Sequence, residues 1–171
     1  MKRFVPLCAA IGLVMLIAAC DSDTAPSDQS ATFTVQLSPA NEVPPVTNSE
    51  STGSGSAIIR LQTTRDSGGA ITAATANFQV SLTGFPNGTM LTGAHIHRGN
   101  VGVAGPIVVD TGLAPGEVIL TNGGVGSFTK NGVALTAALA QEILSTPSGF
   151  YLNVHTTLNG TGVARGQLVR Q

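Results

Sequence analysis

Apolar and polar residues alternate along much of this chain. Phe33, Val35 and Leu37 interleave with Thr34 and Gln36, and Ala57, Ile59 and Leu61 repeat the pattern. Ala76, Phe78, Val80 and Leu82 do so again against Asn77, Gln79 and Ser81. A period of two is that of a strand with one face in a core. Further strands are expected at residues 92–97, 107–110, 126–129, 150–155 and 165–169. Turn sequences separate them: Ser67-Gly68-Gly69, Pro86-Asn87-Gly88, Pro115-Gly116, Asn122-Gly123-Gly124 and Asn159-Gly160. Short strands joined by glycine-rich turns predict an all-β fold, an antiparallel Greek-key-like sandwich or barrel. One stretch departs from the period. Leu135, Leu139 and Ile143 lie four apart among good helix formers, with Thr136 as an N-cap and Pro147 beyond the end. This predicts one short helix over an end of the sandwich.

The N-terminus has a different pattern. Lys2 and Arg3 precede an apolar run from Phe4 to Ala19, interrupted only by Pro6 and Gly12. The run has the length of a signal-peptide core and is short for a membrane-spanning helix. It ends in Ile17-Ala18-Ala19-Cys20, which resembles the lipobox of bacterial lipoproteins, where the cysteine is acylated and the peptide is cut before it. An ordinary secretory signal or an uncleaved anchor is the alternative. The expected organisation is a signal peptide over 1–19, a lipidated Cys20 with a polar tether over 20–31, and one domain over 32–171. The expected location is the cell envelope, on a bacterial membrane facing the periplasm or exterior. Asp21 resembles the residue that retains some such proteins at the inner membrane.

Cleavage changes the charge and the cysteine count. With Lys2 and Arg3 removed, six basic residues face nine acidic ones, a formal charge of −3. Nothing in that balance suggests nucleic-acid binding. The two cysteines are Cys8, which leaves with the signal, and Cys20, which carries lipid. The domain then has no thiol for a disulfide or a thiolate metal site. Its stability must come from burial and backbone hydrogen bonds, and about 140 residues suffice for one core.

Four motifs occur in order: Asn41-Glu42-Val43-Pro44-Pro45-Val46; Gly93-Ala94-His95-Ile96-His97 with Gly105-Pro106; Tyr151-Leu152-Asn153-Val154-His155-Thr156; and Gly162 with Arg165-Gly166-Gln167-Leu168. Together they resemble the chordin-type, or CHRD, family over roughly residues 32–170. The resemblance implies an extracellular β-sandwich with no established enzymatic activity. The family usually has an acidic residue after the glycine of the last motif, where this chain has Val163, so any pairing of that acid with Arg165 is missing here.

All three histidines fall within these motifs. His95 and His97 are two apart in an expected strand, on the face opposite Ala94 and Ile96. In the strand over 150–155, Phe150, Leu152 and Val154 share one face and Tyr151, Asn153 and His155 the other. If the two strands are neighbours, three imidazoles converge. A His-x-His pair plus a distant His suits zinc or copper. The same segment faintly resembles the copper-ligand strand of copper/zinc superoxide dismutases, but the histidines for a dinuclear site are lacking. The other reading is a hydrogen-bonded polar cluster with Asn153, Thr156 or backbone groups.

Other residues suggest structural roles. Glu42 is expected to end a strand and hold a loop. Arg165 is expected to reach a carboxylate or carbonyl, and Arg98 to pair with Asp110. Gly53-Ser54-Gly55 precedes a strand rather than a helix, so it is not a nucleophile elbow. Asn48 to Ser56 reads as a low-complexity run. Two functions of different class follow. One is a non-catalytic module, with no cofactor, binding an envelope or extracellular protein or glycan while its lipid holds the membrane. The other is a Cu- or Zn-binding protein using His95, His97 and His155, with redox chemistry if the metal is copper.

Overall fold

The computed structural model of the chain describes Met1 and residues 27–171. Apart from Met1, the expected signal peptide lies outside them, as do Cys20 and residues 21–26. The alternating segments form two antiparallel sheets. In the first, β1 (Ser27–Leu37), β2 (Ser54–Arg65) and β3 (Ile71–Thr83) are flanked by β6 (Gly126–Leu135) and β9 (Val169–Arg170), in the order β6-β3-β2-β1-β9. In the second, β4 (Leu91–Arg98), β5 (Ile107–Asp110), β7 (Phe150–Thr156) and β8 (Ala164–Gln167) run in the order β5-β4-β7-β8. The expected all-β sandwich is the fold.

The core follows from the period of two. Phe33, Val35, Ile59, Leu61, Phe78, Val80 and Leu82 from the first sheet meet Ala94, Ile96, Phe150, Leu152 and Val154 from the second, all buried. The helix α1 (Ala137–Ser145) packs against β3. The Thr136 hydroxyl caps it by accepting from the Leu139 amide at 3.2 Å. Leu135 stays in β6, so the helix buries Ala140 and Ile143 rather than a stripe beginning at Leu135.

Three expectations are corrected, and the low-complexity run gains an anchor. The tether does not run to residue 31, because β1 begins at Ser27, pairing Ser27 with Arg65 and Ala31 with Leu61. Residues 27–30 lack an apolar alternation; their partner is the far end of β2, where Thr64 Oγ1 donates to Asp28 Oδ1 and Arg65 Nε to Gln29 Oε1. The strand expected over 165–169 is two strands. Buried Leu168 is the crossover from β8 in one sheet to β9 in the other. The run from Asn48 to Ser56 is ordered around Glu50, which is buried. Arg98 does not pair with Asp110. The β4–β5 register sets Asp110 opposite His95, while Arg98, at the end of β4, grips Glu142 of α1 with Nε at 2.9 Å and Nη2 at 2.7 Å.

The two outer faces differ. On the first sheet, Gln36, Arg60, Gln62, Gln79 and Ser81 stand exposed. On the second, every residue of β7 is buried, including the outward-facing Tyr151, Asn153 and His155. Three connections cover that face. The segment after β1 contributes Glu42 to Asn153 and Glu50 to Thr156. The β4–β5 loop is tied down by Gln167 Nε2 to the Gly99 carbonyl at 2.9 Å. The β7–β8 loop donates the Asn159 side chain to Glu50. A polar sheet face sealed under loops is where the candidate chemistry sits.

Candidate metal centre

β4 and β7 are hydrogen-bonded neighbours, with Gly93 opposite His155, His95 opposite Asn153 and His97 opposite Tyr151. The expected facings hold on both strands, so all three histidines stand on the covered face. One ring nitrogen from each of His95, His97 and His155 lies within 4.8 Å of the others. The nearest pair is His95 Nδ1 and His155 Nε2 at 2.8 Å.

The outer nitrogens define the tautomers. A backbone carbonyl only accepts, so a ring nitrogen bonded to one must carry the proton. His97 Nδ1 donates to the Gly105 carbonyl at 2.9 Å, and His155 Nδ1 donates to the Gly160 carbonyl at 3.0 Å. Both rings therefore present an unprotonated Nε2 when neutral. His95 Nδ1 must then be the donor to His155 Nε2. Its own Nε2 faces Asp110 Oδ1 at 3.7 Å. His97 Nε2 is sealed from solvent and has no hydrogen-bond partner among the described residues.

This pattern resembles the outer shell of metal-bound imidazoles, in which the second nitrogen is held by a carbonyl or carboxylate. A proton shift on His95 from Nδ1 to Nε2, towards Asp110, would free the third lone pair. Two nitrogens on one ion are at most about 4.2 Å apart, twice an imidazole–metal bond. At tetrahedral angles the nitrogens stand about 3.3–3.4 Å apart, so around Zn²⁺ the 2.8 Å pair must open and the widest pair must close by roughly 1 Å or more. The donor set fits either ion.

Electrostatics keep the rings neutral. Burial pushes His155 down to about 4, against the opposing pull of the Gly160 carbonyl. Burial also lowers His95 and His97, partly offset by Asp110 and by the Gly105 carbonyl respectively. Neutral imidazoles are the ligand form, so protons do not block the site near neutral pH.

Around the histidines lies a second set of buried polar groups. The Tyr151 ring stacks on His97 with centroids 4.9 Å apart and planes 8° from parallel. The Arg165 guanidinium carbon lies 3.6 Å from the Tyr151 centroid. Arg165 Nη2 donates to the carbonyls of Asn100 and Val103, so the expected reach to a carbonyl is realised. It thereby pins the loop that presents Gly105 to His97. A Cβ on Gly105 would sit 1.6 Å from the Arg98 carbonyl oxygen, so only glycine brings the backbone this close. Glu42 caps a 3-10 turn (Pro39–Asn41) instead of ending a strand, and accepts from Asn153 Nδ2 at 2.9 Å. Burial raises its carboxyl to about 7, against the Arg165 charge and the Asn153 hydrogen bond.

Glu42 and His155 respond oppositely to pH. The buried histidine binds fewer protons folded than unfolded, so its contribution to stability is lost as pH falls from about 6.5 towards 4. Glu42 binds more protons folded than unfolded, so its contribution is present below about 4.5 and lost as pH rises through 7. Glu42→Gln should therefore gain stability relative to wild type as pH rises from 5 to 8. Urea midpoints at four pH values would check this, and a difference independent of pH would refute it.

Sequence reasoning missed Asp110 as the partner of His95 and Glu50 as the anchor of the β7–β8 loop. Asp110 was visible as an acid in a predicted strand, but its register was not. Glu50 is the one charged residue in the run from Asn48 to Ser56, a signal that could have marked it. No curated protein and no solved structure matches the chain. The family model of the CHRD domain matches residues 33–168, from the middle of β1 to the crossover at Leu168. That span covers all of the second sheet, most of the first and every residue of the histidine cluster, and the chain belongs to the CHRD domain family.

Proposed function

We propose that this protein is a lipid-anchored, extracytoplasmic CHRD domain that binds a Zn²⁺ or Cu²⁺ ion through His95, His97 and His155. The family is one of non-enzymatic, extracellular-type binding domains, and a bound ion extends that role without catalysis. The observation that carries the reading is the directed set of lone pairs. Two rings are oriented by backbone carbonyls, the third faces a carboxylate, and His97 Nε2 is buried without a partner. A lone pair sealed in this way is desolvated at a cost of about 1–3 kcal/mol, which a bound ion would offset. Protein purified without chelator or polyhistidine tag should take up one equivalent of Zn²⁺ or Cu²⁺. Titration with no saturable uptake of either ion would leave only the hydrogen-bonded cluster.

Support for anchoring comes from the lipobox ending at Cys20. Six residues separate Cys20 from Ser27, which at full extension reach about 20 Å, so the domain would sit close to the bilayer. Cys20→Ser should abolish lipid labelling and leave unprocessed or unanchored protein. Unchanged detergent partitioning would refute the anchor.

A further inference from the structure

Beside the histidine cluster, on the far side of Tyr151, a cleft of about 380 Å³ opens between the segment after β1 and the β4–β5 loop. Its floor is Arg165 and Gln167 of β8, and Glu42 stands in its wall. Val43, Pro45 and Val101 form an apolar rim, with Val101 80 % exposed. We propose that this cleft binds a small organic monocarboxylate, with Arg165 as its counter-charge.

The argument begins with an uncompensated cation. Arg165 is 2 % exposed, yet none of the ion pairs among the described residues includes it. Its Nη2 is used by the carbonyls of Asn100 and Val103, at 3.3 and 3.1 Å. One face of the guanidinium lies on Tyr151. Nε and Nη1 have no acceptor among the described residues. The group is thus held rigidly while part of its donor set has no protein acceptor and its charge has no partner at ion-pair distance, Glu42 acting on it only from further off. Neither Nε nor Nη1 is among the buried unpartnered atoms, so both open to the cleft that Arg165 lines, where an entering anion can bond them.

Glu42 does not supply that anion. A Cβ on Gly162 would lie 2.2 Å from Asn153 Nδ2 and 2.8 and 2.9 Å from the two Glu42 oxygens. The bare Gly162 backbone lets the Glu42 carboxyl seat against Asn153, turned from Arg165 by more than ion-pair distance. Both groups line the same cleft, so a third group entering it can meet both. Burial lifts Glu42 to about 7, so near neutral pH a protonated form is present that donates to an incoming carboxylate.

The same arrangement selects among anions. Phosphate or sulfate carries more charge than the one guanidinium offsets, whereas a monocarboxylate matches it. A monocarboxylate can bond Arg165 with one oxygen and share the Glu42 proton with the other. Val43, Pro45 and Val101 then contact a short alkyl tail. The volume matches a small molecule. This inference does not depend on the metal reading, since no histidine contacts the ligand.

The test is a titration of the full chain with butyrate, followed by the NMR signals of Arg165 Nε–H and the Val101 methyls. Butyramide, the neutral isostere, and inorganic phosphate are run in parallel. Butyrate should give saturable shifts at both residues, and the other two probes should give little. Val101→Asp places a negative charge on the exposed rim without touching the core and should weaken butyrate several-fold. Val101→Lys should strengthen it. Arg165→Lys, if it folds, should lose about tenfold or more. Butyramide or phosphate binding as well as butyrate, shifts absent from Arg165, or the two Val101 variants behaving alike would each overturn the proposal.

Discussion

His97→Ala should reduce metal affinity by more than about 100-fold while the domain stays folded. Removing an outer-shell partner of a metal-bound histidine alone costs 10–100-fold, and this change removes a ligand. The fold should survive because His97 lies outside the apolar core; its loss leaves the Gly105 carbonyl short of a donor, a cost of about 1–3 kcal/mol. Isothermal titration with Zn²⁺ and Cu²⁺, beside circular dichroism, separates the two effects. Metal binding unchanged in the variant would remove His97 from the site. The pH dependence should be shifted from that of free imidazole. With His155 at about 4 and the other two also lowered, protons compete late, so affinity in the wild type should hold through pH 6 and fall towards pH 4.

Phe78→Ala should cost about 3–5 kcal/mol of stability, among the largest losses any single core truncation would give here. Phe78 is fully buried on β3, between Ile59 on β2 and Lys130 on β6 in the ladder. The central position allows little collapse around the cavity, because strands on both sides hold the backbone. The described domain contains no cysteine, so no cross-link limits the unfolded state and the loss should appear in full. Urea unfolding with and without reductant should give the same midpoint for each protein. A loss below about 1 kcal/mol would mean that β3 faces the other way.

The Glu42 and Val101 variants bear on a different part of the same covered face. Glu42, Asn153 and Arg165 adjoin the histidines through Tyr151, so the sheet carries two polar sites side by side. One is built from neutral imidazoles and the other from a fixed cation. The β4–β5 loop serves both, presenting Gly105 to His97 and the Asn100 and Val103 carbonyls to Arg165.

What the sequence by itself determined is what repeats locally. Alternation at Phe33-Val35-Leu37 or Phe78-Val80-Leu82 places each residue on a face, because successive Cβ atoms in a strand point to opposite sides. The same rule placed His95, His97 and His155 away from the core, and Thr136 marked the start of the helix through its own capping bond. The absence of a thiol in the domain was also readable directly. What the tertiary structure decided is which strands pair and what covers them. His95 and His155 are 60 residues apart, and their 2.8 Å contact depends on β4 lying beside β7. No local period encodes that choice; it is made by burial of both inner faces against the first sheet. The start of β1 at Ser27, the turn of Arg98 to Glu142 and the anchoring of Glu50 by Thr156 and Asn159 have the same origin. Each is a polar group whose partner is distant in sequence, chosen only when burial made an unpaired donor or acceptor too costly.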